Sequence, residues 1–342
     1  MSLQWRPMKP NDVARCAGII ASHPVIGPRY GPVIKDLVRA WLCLLESQAM
    51  TTAVFEEVEK GRVSLAGVGV GVFVHDEFVR ELKARRQFWF GPELAKRVLH
   101  GYSPVLSDKE VREANSGKGL NELVWETLPR QSFAQRAEIY HLMGSAYIEI
   151  HRGFRLKEMI TSQAESPQRL QWALDAGGLY WDPKAARYVK SLKKDVAELA
   201  RGPHIVGITR ELEFARPGSW VGSLFDYQPP RFWFSASEQR LLIQCISDRT
   251  ETNAVLAKEL GVSLPTVKKM WLSIYDRVAQ HAPELIVANV AVGAENKRGK
   301  EKKRHLLAYL QVHPEELRPV VRRAAGQKPP HAVASRNRDV SR

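Results

Sequence analysis

One predicted helix near residue 270 combines an apolar side with a polar side that has the chemistry to read DNA. Its apolar residues recur at i, i+4, i+7 and i+11, the spacing of a single buried stripe: Val267, Trp271, Ile274 and Val278. The other side holds Thr266, Lys268, Lys269, Leu272 and Ser273. Lysine donates to O6 or N7 of guanine, and leucine contacts the methyl group of thymine. This side therefore suits the base edges of a major groove.

Hydroxyl groups stand at the predicted starts of the neighbouring helices. A helix N-terminus attracts phosphate because its first N–H groups have no partner within the helix. The candidate phosphate contacts are Thr250, Thr252, Ser263 and Thr266. Arg277, further along the third helix, is interpreted as a contact to the phosphate backbone or as a solvent-facing residue.

The elements that must position these residues are three short helices between residues 234 and 278. Ser235 or Ser237 can cap the first helix, and Glu238 suits the positive end of its dipole. Gly261 ends the second helix, and Ser263 can cap the third. Two helices joined by a tight turn that contains glycine predict a helix-turn-helix arrangement.

This stretch resembles the LuxR-type DNA-binding domain of bacterial transcription regulators. The resemblance rests on F-S-x-S-E from residue 234, L-A-K-E-L-G-V-S from residue 256, T-V-K from residue 266 and I-Y from residue 274. It implies that Lys268, Lys269 and Leu272 enter the major groove of double-stranded DNA. It also implies a homodimer, formed through a fourth helix over residues 283–292. The chain departs from the family at Asp248-Arg249 and at Met270, where glycine and histidine are usual. The alternatives are a plain three-helix packing module and a sigma-factor-like segment with the same geometry. A further possibility is a protein-interaction module whose helix-turn-helix no longer touches DNA.

The charge of the chain favours a polyanionic partner. The formal net charge is +14, and residues 295–342 hold 13 Lys and Arg against 5 Asp and Glu. The basic run over 297–304 is interpreted as a phosphate-contacting arm or, equally, as a solvated charged surface. The three cysteines are scattered, and no apolar segment has the length of a signal peptide or a bilayer span. We therefore expect a cytoplasmic protein that has no membrane partner.

The first 178 residues alternate predicted strands and helices. A short strand precedes a helix over about 11–22, and a second helix covers 33–48. Residues 52–59 and 63–74 are rich in β-branched residues and flank a turn at 60–62, which predicts a hairpin. Gly67, Gly69 and Gly71 share one face of its second strand, where another group can approach the backbone closely.

This order resembles the opening of the fold of the GNAT family of N-acetyltransferases. The start W-R-P-M-K-P-N-D-V is similar to that family's first strand and helix. Residues 120–128 then match its central strand, 132–151 a long helix and 154–162 the next strand. The resemblance implies an acetyl-CoA site whose pyrophosphate is held by a glycine-bearing loop at a helix N-terminus. The loop in that place, 129–134, has no glycine. We therefore expect a degenerate fold that needs no cofactor, with an unrelated α+β domain as the alternative.

A working acetyltransferase with a DNA-targeting appendage is the rival function. In that case Tyr140 or Tyr147 would be the general acid, and Glu56 or Glu57 the base. The chain has no metal-binding histidine pair, nucleophile elbow or P-loop. We therefore assign no catalytic residue and expect no metal.

The predicted fold class is α+β, with an N-terminal α/β acetyltransferase-like domain and a C-terminal all-α helix-turn-helix domain. The first domain covers 1–178 and serves as a sensor or scaffold with a site for a small-molecule or protein ligand. A helix over 182–199 and an aromatic-rich strap follow in 179–233, and the helix-turn-helix domain covers 234–292. A basic, partly disordered tail covers 293–342, with a short amphipathic helix around Leu306 and Leu310. The overall function we expect is a transcription regulator that works by binding.

Overall fold

The structure is a computed structural model that describes residues 1–85, 89–163, 167–191, 204–214, 219–248, 252–286 and 295–321. It is a mixed α/β protein, in agreement with the predicted α+β class. The strands are β1 (Ser2–Arg6), β2 (Met50–Glu59), β3 (Arg62–Val74), β4 (Leu120–Pro129), β5 (Leu156–Gln163), β6 (Leu179–Asp182), β7 (Arg187–Val189) and β8 (His204–Thr209). Within the described residues they form one sheet, in the order β1-β2-β3-β4-β5-β8-β6-β7.

Thirteen α-helices lie within the described ranges. The sheet region contains α1 (Pro10–Ser22), α2 (Gly27–Tyr30), α3 (Ile34–Leu44), α4 (Asp76–Ala84), α5 (Phe90–Leu99), α6 (Asp108–Ser116), α7 (Ala137–His151), α8 (Pro167–Asp175) and α9 (Arg210–Phe214). The C-terminal region contains α10 (Ala236–Asp248), α11 (Asn253–Glu259), α12 (Leu264–His281) and α13 (Glu295–Val312). None of the helices in the described residues is long and apolar enough to cross a membrane.

The predicted hairpin is confirmed. Strands β2 and β3 pair antiparallel from Met50 opposite Val72 to the turn at Lys60 and Gly61. Both turn residues have positive φ angles, 47° and 78°. That is the geometry of a two-residue type I′ turn, whose twist matches the twist of the strands.

The glycines of β3 lie beneath helix α7. A Cβ atom added at Gly67 would come within 2.6 Å of the Met143 side chain, and one at Gly71 within 2.3 Å of the Glu122 carboxylate. The close approach that the glycine pattern predicted is therefore made by side chains of the protein itself.

The central strands β4 and β5 run parallel and then separate. They pair from Leu120 opposite Leu156 to Val124 opposite Thr161, while β4 continues to residue 129 and β5 to residue 163. Helix α7 connects the two strands and packs on one face of the sheet. Helices α1, α3 and α5 cover the other face, where Trp125 of β4 meets Trp41 edge-to-face at 6.1 Å.

The helix predicted over 182–199 is wrong in its first part, because β6 and β7 form a hairpin there. The Asp182 carboxylate accepts hydrogen bonds from the N–H groups of Lys184 and Ala185, which closes the turn. The Tyr188 hydroxyl then donates to Glu158 of β5 at 2.6 Å. The hydrogen bonds of Asp182 and Tyr188 therefore stabilise the hairpin, although the apolar residues of this segment have helical spacing. Residues 192–200 lie outside the described residues.

The C-terminal helices share a core with the residues that precede them. Helices α10, α11 and α12 agree with the three predicted helices. Phe232 and Phe234, which precede α10, are buried in one core with apolar residues of the three helices, among them Val278 of α12. The segment treated above as a tail is the single helix α13, whose Leu306 and Leu310 complete the same core. Only a 3₁₀ turn, Pro283–Leu285, is seen within the predicted fourth helix, and residues 287–294 lie outside the described part.

Residues 313–321, which we call the C-terminal clasp, contact both regions. Glu315 accepts from the Arg152 guanidinium at 2.9 Å, and Arg318 donates to carbonyl groups at the end of α7. The neighbouring Glu316 accepts from the backbone N–H of Phe232 at 2.9 Å. The clasp therefore holds the sheet region and the helical region together.

Candidate nucleic-acid interface and the cleft in the sheet

Helix α12 presents the polar side that its sequence predicts. Its apolar stripe from Val267 to Val278 is buried. The opposite side exposes three polar residues, Thr266, Lys268 and Lys269. Leu272 lies beside them and is 64% exposed. Positions three and four apart are neighbours on a helix. These four residues therefore form one continuous exposed surface, which we call the recognition face.

The two helix starts that flank the recognition face are capped by hydroxyl groups. The Ser263 oxygen accepts from the N–H of Thr266 at 3.3 Å, and the Thr252 oxygen accepts from the N–H of Val255 at 3.4 Å. Each oxygen thus satisfies one N–H of its helix. Both caps are exposed, so a phosphate group can reach the hydroxyl protons. Thr250 lies outside the described residues.

Glu238 of α10 fixes the rotation of α12. The Ser273 hydroxyl donates to one carboxylate oxygen at 2.7 Å, and the Arg277 guanidinium lies 3.7 Å from the other. Burial would raise the pKa of Glu238, but hydrogen bonds from Ser235 and Ser273 lower it below its ordinary value. The structure thus places Ser273 and Arg277 against α10, and the side chain of Arg277 is only 15% exposed.

Sequence reasoning did not place Lys303. Its ammonium group lies 5.1 Å from the ring centroid of Trp271, whose ring also stacks on Tyr275. The basic run over 297–304 is visible in the sequence, but no local spacing tells that Lys303, near its end, lies beside α12.

A cleft of about 330 Å³ lies where β4 and β5 separate. Its apolar walls come from the strands, from α7 and from the turn after residue 219: Val124, Met143, Met159, Val206, Trp220 and Val221. Thr127, Tyr140 and Thr161 add hydroxyl groups. The Trp220 ring rests on Gly144, where a Cβ atom would lie 2.7 Å from it. The cleft therefore suits a narrow, mainly apolar ligand with a few hydrogen-bonding groups.

Several amide N–H groups of the loop between β4 and α7 donate to backbone carbonyl groups of the protein. The N–H of Phe133 donates to the carbonyl of Arg130 at 2.8 Å, and that of Arg136 donates to Phe133 at 3.0 Å. The N–H of Arg130 donates to the carbonyl of Ala66 at 2.7 Å. A pyrophosphate would need such N–H groups to be free and to converge. These three amides are therefore not available to a pyrophosphate.

Three of the four side chains named for acid–base chemistry have partners within the protein. Glu56 pairs with Arg6 at 2.7 Å, and Glu57 pairs with Arg136 at 2.6 Å. The Tyr140 hydroxyl donates to a loop carbonyl, and burial together with the nearby Glu122 raises the pKa of Tyr147 well above its ordinary value. Tyr147 lines the cleft, and its raised pKa keeps the hydroxyl protonated.

A buried carboxylate and imidazole lie next to Tyr147, which lines the cleft. His151 Nδ1 is 2.7 Å from the carbonyl oxygen of Tyr147, and Nε2 is 2.5 Å from an oxygen of Glu122. A carbonyl only accepts, so Nδ1 carries a proton. Both side chains are only 0–1% exposed, and this contact compensates each of them for its burial.

No protein-family model matches the chain, and no curated protein matches it. A solved structure of an uncharacterized protein from Bacillus halodurans is similar over 66% of this chain and 92% of that chain. The identity is 10% and the TM-score is 0.35, so this likeness carries no argument about fold or function. Within the described residues, no three His, Cys, Asp or Glu side chains are grouped as a metal site.

Proposed function

We propose that this protein is a DNA-binding transcription regulator that reads duplex DNA with the recognition face of α12. One observation carries the proposal. Two exposed lysines flank a leucine that is 64% exposed, on a helix whose opposite stripe is buried and whose rotation is fixed by a buried carboxylate. Lysine matches guanine, and an exposed leucine matches the thymine methyl group.

The proposed partner is double-stranded DNA, bound by two copies of the chain in the cytoplasm. Thr252, Ser263 and Thr266 would contact phosphate groups and set the register. Lys268, Lys269 and Leu272 would contact bases. Ser273 and Arg277 would act indirectly, by holding α12 on Glu238.

The experiment is duplex binding across a salt series, with a DNA site selected from a random pool by the wild-type protein. We expect Lys268→Ala/Lys269→Ala to weaken binding at least tenfold and to relax the preference for the selected site, since each good base contact contributes about 1–3 kcal/mol. The matched control is Lys35→Ala/Arg39→Ala, which removes two exposed charges from α3. Equal affinities of the two double variants for the DNA site would show that the recognition face does not contact DNA.

The second candidate function is ligand binding in the cleft by a degenerate acetyltransferase-like domain. The separation of β4 from β5 around an apolar cleft supports it, as does the chain order of a central strand, a long helix and a further strand. The glycine-free loop at 129–134 and the pairing of Glu56 and Glu57 with arginines favour a sensor or scaffold over the rival, a working acetyltransferase.

We therefore expect no transfer of acetyl groups from acetyl-CoA. Release of the free thiol, followed with a chromogenic disulfide in the presence of a mixture of amines, should not exceed the rate without protein. Thermal unfolding with and without acetyl-CoA tests binding separately from transfer. Thiol release that depends on the protein would support the rival function, a working acetyltransferase.

A further inference from the structure

A second cavity, of about 380 Å³, lies between the end of β3, the start of β4 and helix α6. We call it the acidic pocket. Its charged and polar lining residues are His75, Asp76, Glu110, Glu113, Lys118 and Asn121. Three of these are carboxylates and one is a lysine, although the chain as a whole has a net charge of +14. An excess of negative charge in a cavity favours a cationic ligand.

The carboxylate of Asp76 is already compensated. It pairs with Lys118 at 2.7 Å and with Lys157 at 2.9 Å. Burial alone would raise the pKa of Asp76, but hydrogen bonds from these two lysines and from Asn121 lower it below its ordinary value. Lys118 is therefore engaged with Asp76, and the negative charges that remain for a ligand are the two glutamates of α6.

Glu110 and Glu113 are three positions apart on α6, so they share one side of that helix. Glu110 accepts from the N–H of Ser107 at 2.8 Å, which lowers the pKa of Glu110 below its ordinary value and keeps it ionised at neutral pH. The side chain of Glu113 is 56% exposed, and its ion pair with Lys109 is long, at 3.9 Å. Both carboxylates can therefore accept further hydrogen bonds.

Asn121 adds a buried acceptor to the same cavity. It lines the acidic pocket and is 3% exposed. Its Nδ2 donates to Asp76 at 2.5 Å, and because Asp76 also lines the pocket, the amide is directed toward the cavity. Its Oδ1 accepts no hydrogen bond from the part of the chain that the structure describes. A buried acceptor without a donor costs free energy, which a donor on a ligand would recover.

We propose that the acidic pocket binds a small organic amine that also carries a hydroxyl group. The ammonium group would lie between Glu110 and Glu113, since it donates three hydrogen bonds and accepts none. The hydroxyl group would donate to Asn121 Oδ1, where the neighbouring lysines disfavour a second positive charge. The carboxylates of the described residues are not grouped as a metal site, so an extended organic cation fits this lining better than a metal ion.

The test is isothermal titration calorimetry of the full chain with three amino alcohols of increasing length: 3-amino-1-propanol, 4-amino-1-butanol and 5-amino-1-pentanol. We expect at least one of them to bind at one site per chain. The matched compound 1,4-butanediol lacks the charge and should bind about tenfold more weakly or less, because hydrogen bonds to charged groups are the stronger ones. Butylamine lacks the hydroxyl group and should bind severalfold more weakly.

The pocket variant is Glu110→Gln/Glu113→Gln. Glutamine keeps the length of the side chain and also suits the third position of a capping box, so the start of α6 should persist. The control is Glu59→Gln/Glu138→Gln, which has the same net charge and changes two exposed carboxylates that do not line the pocket. Glu113→Gln by itself changes one exposed side chain and decides the test if the double variant unfolds.

We expect the double pocket variant to lose affinity about tenfold or more, Glu113→Gln to lose it severalfold, and the control to bind as the wild type does. Wild-type affinity in a folded pocket variant overturns the inference, and so does an equal loss in the control. A wild-type protein that binds none of the three amino alcohols also overturns it. The assay contains no DNA, so these outcomes are independent of the DNA-binding function proposed above.

Discussion

Gly71 shows how one small residue makes room for a buried charge. Its missing side chain leaves space for the Glu122 carboxylate, which in turn holds His151. In Gly71→Ala the added carbon would lie 2.3 Å from a carboxylate oxygen and 2.7 Å from the Thr51 hydroxyl. One of the buried groups would have to move.

We expect Gly71→Ala to lower the free energy of unfolding by about 1–3 kcal/mol, the usual cost of overpacking. The control is Gly18→Ala in α1, where nothing lies within 4 Å of the new carbon. That change should raise stability by up to about 1 kcal/mol, because alanine favours a helix. Urea unfolding of the two variants measures both values. Equal effects would show that the carboxylate gives way without cost.

Glu238 and Glu316 should respond to pH in opposite directions. Hydrogen bonds outweigh burial and lower the pKa of Glu238, whereas burial raises the pKa of Glu316. The stability from Glu238 is present above the ordinary glutamate pKa of about 4.3 and is lost as pH falls through its folded value. The stability that proton binding by Glu316 contributes is present below that ordinary pKa and is lost as pH rises through its folded value.

We therefore expect Glu238→Gln to make unfolding less sensitive to acid than it is in the wild type, and Glu316→Gln to make it more sensitive. Urea unfolding at several pH values from 3 to 7 measures the free energy of unfolding of each variant and of the wild type. The difference between them should change with pH on either side of the ordinary glutamate pKa. The same sign for both variants would contradict the assignment of the two carboxylates.

At the scale of elements, the start of α12 depends on one hydroxyl. Ser263→Ala should cost about 1 kcal/mol, since it leaves the N–H of Thr266 without its cap. DNA affinity should fall with it, because the first turn of α12 carries part of the recognition face. Ser145→Ala on the exposed side of α7 is the control and should be neutral. Thermal unfolding and duplex binding together check this. A Ser263→Ala protein with full stability would mean that the cap is dispensable.

At the scale of the whole molecule, the clasp joins two cores. Arg318 donates to the carbonyls of Ile150 and Arg152 at 2.6 and 2.9 Å, and burial lowers its pKa to about 10. Its backbone carbonyl accepts from Gln239 of α10 at 2.7 Å. One residue therefore touches both the end of α7 and helix α10.

Arg318→Ala should lower the free energy of unfolding by about 1–3 kcal/mol, because it leaves partly buried carbonyl groups without a donor. Calorimetry should then resolve separate transitions for the sheet region and the helical region. Arg304→Ala, which breaks only an exposed pair with Glu301, should change stability by less than about 0.5 kcal/mol. A single unshifted transition for Arg318→Ala would show that the clasp does not couple the cores.

The sequence by itself determined the elements whose signals are local. The four-residue stripe of α12 follows from helical spacing, and the β2–β3 hairpin follows from a turn that only certain residues adopt. The caps Thr252 and Ser263 precede their helices by one position, so their role is also readable along the chain. The exposed lysines follow from the same stripe, since the opposite side of a packed helix faces solvent.

Only the tertiary structure decided what depends on partners far apart in the chain. The carboxylate of Glu238 holds a hydroxyl 35 residues away, and the clasp meets α7 from 168 residues away. The β6–β7 hairpin replaces a predicted helix because Tyr188 finds Glu158 across the sheet. The cleft exists because β4 and β5 stop pairing, which no residue pattern in either strand indicates. Local periodicity reports which side of an element is buried. It does not report which element covers that side. The packing of elements against one another decides this, and it therefore positions the residues of the candidate site.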